Sequence, residues 1–367
     1  VIRPAAIASS AFVTALVALS GSAAASTLLG VNIQPHPQLD QLTAAKAAGA
    51  DYARLNIRWD ETQPARNQYS WDTADADISN AAKAGIQLNI VLSGSPAWAV
   101  DPAKFVPTGD AFPAKTADFS GWCKSISSRY GLKGTYWASH KSIPYKPIRM
   151  WQVWNEPNWY ANSSSPVRPT DYKSILTGCG AALKKVDPNA AVIAAGLAQF
   201  NSSSSLAMDP VTFWKGLWKA LGTKAAPTYQ WDVHPYSDTA AHSAAVIPYV
   251  RYLMEHNGCK NCSIRTEEVG WASGSRGFNP YIGWMCVGSE AEQQTRGQDL
   301  FRLIYPTLAK NRVTSIAWYT WMDASDADCV DVSPGVSGGQ GLVHRDGTPK
   351  PILSSFTAFY KKLHGLK

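Results

Sequence analysis

An α/β fold of the (β/α)8 or TIM-barrel class is what this 367-residue sequence predicts, as a single domain with long active-site loops. Three observations predict it. From Leu28 onward short β-rich runs alternate with longer Ala/Leu/Lys segments of helical period, the mark of parallel βαβ units. The β-rich runs number eight, the count of a closed ring. No Gly-x-Gly-x-x-Gly follows the first run, which disfavours an open doubly wound sheet.

In chain order, the strand Leu28–Ile33 leads to a helix over Leu39–Ala48, and Tyr52–Ile57 to one over Asp75–Ala84. Gln87–Leu92 is followed by the helix Ala117–Tyr130, Ile148–Val153 by Pro169–Val186, and Ala191–Ala195 by Pro210–Ala220. Gln230–His234 precedes Ala244–His256, Ser263–Val269 precedes Glu290–Ala309, and Ser315–Thr320 is the eighth strand. Each helix opens near a Thr, Asp, Ser or Pro and carries apolar residues at spacings of three and four. Long connections at Ser93–Ala117, Tyr136–Lys146, Gly270–Ser289 and Ala324–Gly341 remain. In a barrel, those that follow strands build the functional face.

Residues 1–26 stand apart: Arg3, an apolar stretch from Ala5 to Leu19 and small residues ending in Ala23-Ala24-Ala25 have the order of a secretory signal. A secreted, extracellular protein is expected. The remaining residues, 27–367, form the expected catalytic domain, with no stretch of 18 uncharged apolar residues to span a membrane. The net charge of +7 is spread thinly, with Lys184-Lys185 and Lys361-Lys362 the closest clusters. Without a basic run or a nucleic-acid motif it argues against nucleic acid as a partner and leaves an acidic glycan or anionic surface open. Six cysteines in an exported chain imply disulfides. Cys259-Lys260-Asn261-Cys262 reads as a structural loop disulfide, because no second Cys-x-x-Cys accompanies it and it precedes a strand instead of opening a helix.

The chemistry concentrates in two glutamates. Glu156, in "MWQVWNEPNWY", falls just past the fourth strand, and the seventh strand ends in Glu267-Glu268. Strands four and seven are three apart around a ring of eight, so carboxylates at their C-terminal ends can face each other across the mouth. Such a pair suits glycoside hydrolysis, in which one carboxyl protonates the leaving oxygen and the other attacks or stabilises the oxocarbenium-like centre. Alternation along a strand should turn only one of Glu267 and Glu268 inward.

The segment Trp154-Asn155-Glu156-Pro157 resembles the acid/base motif of clan A glycoside hydrolases, and Glu268-Val269-Gly270-Trp271 resembles their nucleophile strand. The resemblance covers essentially the whole chain after the leader. It implies Glu156 as acid/base and Glu268 as nucleophile, with Glu267 as rival. It further implies Arg54 as the arginine that holds the nucleophile ionised and Asn155 as a contact to the sugar 2-hydroxyl. His234 and Tyr236 match a His-x-Tyr whose tyrosine orients the nucleophile, and Trp318, with Trp321 as alternative, matches a sugar platform. The stretch "RWDETQPARNQYSWDTAD" and the later "GLVHRDGTPKP" look most like glycoside hydrolase family 39 and its bacterial relatives, with family 5 endoglucanases as runner-up. Glu268 beside Glu156 should keep the latter protonated until a glycosyl-enzyme forms, giving retention at about 5–5.5 Å separation.

Trp59, Trp98, Trp159, Trp271 and Trp284 form a further group of candidate stacking rings. The acidic loop Asp323, Asp326, Asp328, Asp331 lacks the Asp-x-Asp-x-Asp-Gly pattern, so no metal is expected, and a retaining mechanism needs no cofactor. The expected protein is a monomer acting on a β-linked poly- or oligosaccharide. A transglycosylase using the same residues, and a catalytically silent carbohydrate-binding barrel, are the competing readings.

Overall fold

The computed structural model describes residues 27–104, 110–199, 203–274, 285–324 and 338–367. Eight parallel strands, β1 (Leu28–Asn32), β2 (Tyr52–Arg58), β3 (Gln87–Ser93), β4 (Met150–Val153), β5 (Ala191–Ala194), β6 (Gln230–Asp232), β7 (Ser263–Val269) and β8 (Val313–Trp318), pair in sequence order. The ring closes where β8 pairs with β1, from Leu28 against Ser315 to Val31 against Trp318. The expected (β/α)8 barrel is therefore present. The eighth strand ends at Trp318, two residues before the expected Thr320, because Thr320 N turns to Gln340 O and Trp321 N to Asn32 O.

Helices α1 (Leu39–Ala47), α3 (Asp72–Ala84), α4 (Thr116–Tyr130), α6 (Pro169–Val186), α7 (Pro210–Ala225), α8 (Ala240–His256) and α9 (Glu290–Ile304) match the seven expected ones. Short helices α2 (Trp59–Thr62) and α5 (Thr135–Ser139) and the terminal α10 (Pro351–Leu363) were not anticipated from the sequence. Helix α10 supplies the eighth helix of the ring. Its Phe359 stacks on Phe301 of α9 with centroids 4.3 Å apart, and Pro351 opens it where no N–H is needed.

Gly30 explains how the interior closes. A Cβ there would lie 2.2 Å from the Tyr52 ring, so only glycine lets that ring cross the barrel. Above it the interior is polar, with Asn32, Arg54, Asn89, Gln152, Asp232, Arg265, Glu267 and Ser315 all buried. A polar barrel half has to be satisfied by its own members, and that requirement builds the site.

Disulfides join Cys123 of α4 to Cys179 of α6, and Cys259 to Cys262 ahead of β7. Arg251 donates to the carbonyls of Cys259, Lys260 and Cys262, which fixes the turn from beneath while both cysteines are buried and Lys260 and Asn261 stay exposed. Cys286 is also disulfide-bonded, and Cys329 lies outside the described residues, as does the leader-like segment 1–26. No helix among the described residues is long and apolar enough to cross a membrane.

Candidate active site

Glu156 is fixed by a tight turn past the end of β4. Trp154 and Glu156 both have left-handed backbone, with φ of 70° and 44°, a conformation that non-glycine residues adopt only when surroundings hold them there. The surroundings do: Trp154 N donates to Leu92 O, Trp154 Nε1 to Asn162 O at 2.5 Å, and Glu156 N to Gly196 O. Asn158, fully buried, donates to Ala198 O and Met208 O and accepts from Ala198 N. It welds the turn to the loop after β5, a role that its place in the Asn-Glu-Pro-Asn run does not by itself reveal.

Glu268 meets it from the end of β7. Its Oε1 accepts from Arg54 Nη1 at 2.7 Å and its Oε2 from the Tyr236 hydroxyl at 3.1 Å. Arg54 spends its remaining donors on Asn32, Gln152 and Asn155, at 2.6, 3.0 and 2.8 Å. Burial alone would lower the Arg54 pKa, but Glu268, then Asp232 and Glu267, raise it above its usual value, so the guanidinium stays charged. For Tyr236, burial, then Glu268, pushes the hydroxyl well above the tyrosine range and leaves it a donor.

His234, fully buried, spans the two halves. Nδ1 lies 3.0 Å from Glu156 Oε1 and Nε2 lies 2.9 Å from Asp232 Oδ2, with Glu268 Oε1 farther off at 3.6 Å. Burial opposes charge on the ring, yet Glu268, then Asp232 and the hydrogen bonds to Asp232 and Glu156, raise its pKa well above the histidine value. In its charged form the imidazole donates from both nitrogens, one to each carboxylate. One oxygen of Glu156, one of Glu268 and a nitrogen of His234 lie within 4.8 Å of one another. Both His234 nitrogens in this cluster already face carboxylate oxygens, Nδ1 toward Glu156 and Nε2 toward Asp232. Asp323 of the acidic loop is bound to Lys350, and Asp326, Asp328 and Asp331 lie outside the described residues.

Glu267 corrects the expectation that one glutamate faces in and the other out. It sits inside the barrel floor, bonded to Tyr52 at 2.9 Å, Asn89 at 2.8 Å, Arg265 at 2.6 Å and Ser315 at 2.5 Å. Burial would raise its pKa, but Arg265, then Ser315, hold it below the usual value. Both residues reach the interior because the ladder slips: Ile316 pairs with Thr266 and Trp318 with Val269, so β7 carries an extra residue there. Every oxygen of Glu267 is occupied below the cleft, whereas Glu268 lines it.

The platform expectation is also corrected. Trp318 is 1% exposed, bonds Gln340 O, and packs against Trp271 and Phe301 in the helix layer. Trp321 is 4% exposed and presents no free ring face either. Tyr319, half-buried, is the ring of this segment that faces the carboxylates: burial, then Glu268, raises its hydroxyl pKa, and its ring meets Tyr236 edge-on at 6.5 Å. Alternation from the inward Ser315 would have found it. Of the other candidate rings, Trp59 and Trp271 are core, Trp98 and Trp159 are half-buried, and Trp284 lies outside the described residues.

The sequence matches no family model and no curated protein. Solved structures do match in fold. A family 39 glycoside hydrolase from Bacteroides cellulosilyticus WH2 superposes with a TM-score of 0.64 at 20% identity, covering 92% of this chain and 64% of that one. A monomeric β-xylosidase from Caulobacter crescentus CB15 gives 0.64 at 15% identity, over 90% and 67% of the two chains. A GH5_18 structure from Streptomyces cattleya, in complex with GlcNAc, gives 0.61 at 16% identity over 93% and 81%. The chain thus shares its barrel with family 39 and family 5 glycoside hydrolases and spans less than two thirds of the first of these structures.

Proposed function

We propose that this protein is a retaining β-glycoside hydrolase with Glu156 as acid/base and Glu268 as nucleophile. The spacing of the two carboxylates carries the reading. Their oxygens approach within 4.8 Å, near the roughly 5–5.5 Å of retaining enzymes and short of the ~6.5–9.5 Å that leaves room for a water in inverting ones. Glu156 gives its proton to the glycosidic oxygen as the C1–O bond breaks and Glu268 bonds to C1. Water then attacks C1, passes a proton to Glu156 and releases Glu268. Arg54 and Tyr236, one on each oxygen of Glu268, hold the attacking carboxylate in line. Asn155, with its oxygen on Arg54, turns its amide nitrogen to the sugar, and Tyr319 offers the ring wall. Export is supported by the leader-like residues 1–26 and by the disulfides.

The test is a panel of β-linked polysaccharides and aryl β-glycosides assayed on the wild type, Glu156→Gln and Glu268→Gln. Turnover of a β-linked substrate, reduced about 10²–10⁴-fold or more in each variant, is expected. Turnover that survives both substitutions contradicts the assignment. Glycan binding with no turnover by the wild type replaces it with the binding barrel, and longer products on adding an acceptor sugar replace it with a transglycosylase.

A further inference from the structure

Four side chains climb the inner face of β2 from the barrel floor to its rim: Tyr52, Arg54, Asn56 and Arg58. Three of them are committed within the protein. Tyr52 bonds Glu267, Arg54 bonds Glu268, and Arg58 bonds Asp60 and Asp110 at 2.9–3.0 Å. Asn56 differs. It is exposed on a strand whose other residues are buried or nearly so, and the only other exposed barrel-strand position is Gln87, at the opposite, N-terminal end of β3. It stands near the C-terminal end of β2, two residues beyond Arg54 on the same face.

One end of the Asn56 amide is fixed, because Oδ1 accepts from the hydroxyl of the buried Ser93 at 3.1 Å. Nδ2 has no hydrogen-bond partner among the described residues, so an exposed donor remains on this side chain. Two residues along a strand advance about 7 Å, so the amide stands that far outward from the level at which Arg54 grips Glu268. Asparagine is disfavoured in strands, and packing gives no reason for it here. Its neighbours also define what it can take. The Arg54 charge is committed to Glu268, and the Arg58 charge to Asp60 and Asp110, so β2 itself carries no unpaired cation beside Asn56.

We propose that Asn56 is a sugar-binding residue of the cleft, its Nδ2 donating to a hydroxyl of the glycone, and that this glycone is a neutral pyranose and not a uronate. A sugar carboxylate beside Asn56 would lose water without gaining a partner cation from β2. The inference rests on the glycoside hydrolase reading and deepens it to one subsite. Ser93 acts through Asn56 as a positioning residue.

The experiment measures binding, so that it does not depend on turnover. Glu156→Gln, which keeps the Arg54–Glu268 pair, is titrated with β-1,4-linked xylohexaose, cellohexaose, mannohexaose and an oligomannuronate of the same length, with and without Asn56→Ala or the isosteric Asn56→Asp; thermal melts confirm that each variant folds. The expected result is that Glu156→Gln binds a neutral hexaose more tightly than the uronate, and that either Asn56 substitution weakens it about three- to tenfold, the size of one hydrogen bond. Unchanged binding in both Asn56 variants, or tighter binding of the uronate, overturns this inference and leaves the hydrolase reading standing. If Glu156→Gln and the wild type bind none of the glycans, both fall together.

Discussion

Asp232 accepts from three donors at once: His234 Nε2, Gly196 N at 3.2 Å and Glu267 N at 2.8 Å. That arrangement leaves His234 no orientation except the one that sends Nδ1–H to Glu156. Replacing Asp232 by Asn puts an amide donor where acceptors are required, so Asp232→Asn should lower kcat/KM about 10²-fold or more. Gly196→Ala tests the same contact sterically, because its Cβ would lie 2.2 Å from the His234 ring. Loss of activity with retained folding is expected, and full activity contradicts the role of His234. The raised His234 pKa has a stability consequence. Its contribution is fully present below the unfolded value of about 6.5 and is lost as pH rises through the raised folded value. The decline in melting temperature on the alkaline side should therefore be shallower in His234→Asn than in wild type.

At the scale of elements, the two disulfides differ in what they close. Cys123–Cys179 links residues 56 apart and pins α4 to α6, while Cys259–Cys262 spans only 3. In the chain-entropy account a loop of that longer size contributes about 4 kcal/mol, and a three-residue one far less. Removing the first pair by Cys→Ala should lower the melting temperature by several degrees more than removing the second; equal shifts would contradict it. The barrel strands and seven helices were legible in the sequence because apolar periodicity and start signals agreed along each of them. What was not legible is where periodicity breaks. The slip between β7 and β8 puts Glu267 and Glu268 on the same side, and no alternation rule anticipates a bulge. Trp318 was misplaced for the opposite reason, since alternation there holds and turns Tyr319, not Trp318, to the cleft. Helix α10 was missed although Pro351 marks its start.

Over the whole molecule, closure depends on the last segment docking. Lys350, the residue before α10, is completely buried, and its Nζ holds Asp323 at 3.1 Å and Gly339 O at 2.8 Å. Burial, working against charge, lowers the Lys350 pKa and raises that of Asp323, so the pair stands only while both members are present. Lys350→Met should cost about 3–5 kcal/mol by stranding Asp323 beside the chain that follows Tyr319, read by denaturant unfolding. A loss below about 1 kcal/mol would mean that the pair is dispensable. The same scale sets the central claim, since a barrel, a bulge and a buried histidine converge only to place two carboxylates. The most direct measurement is to treat the protein with a 2-deoxy-2-fluoro analogue of the best aryl glycoside and map the labelled peptide by mass spectrometry. A glycosyl group on Glu268, absent from Glu268→Gln, is the predicted result. Label on Glu267, or rapid turnover of the natural substrate without any covalent adduct, would contradict it.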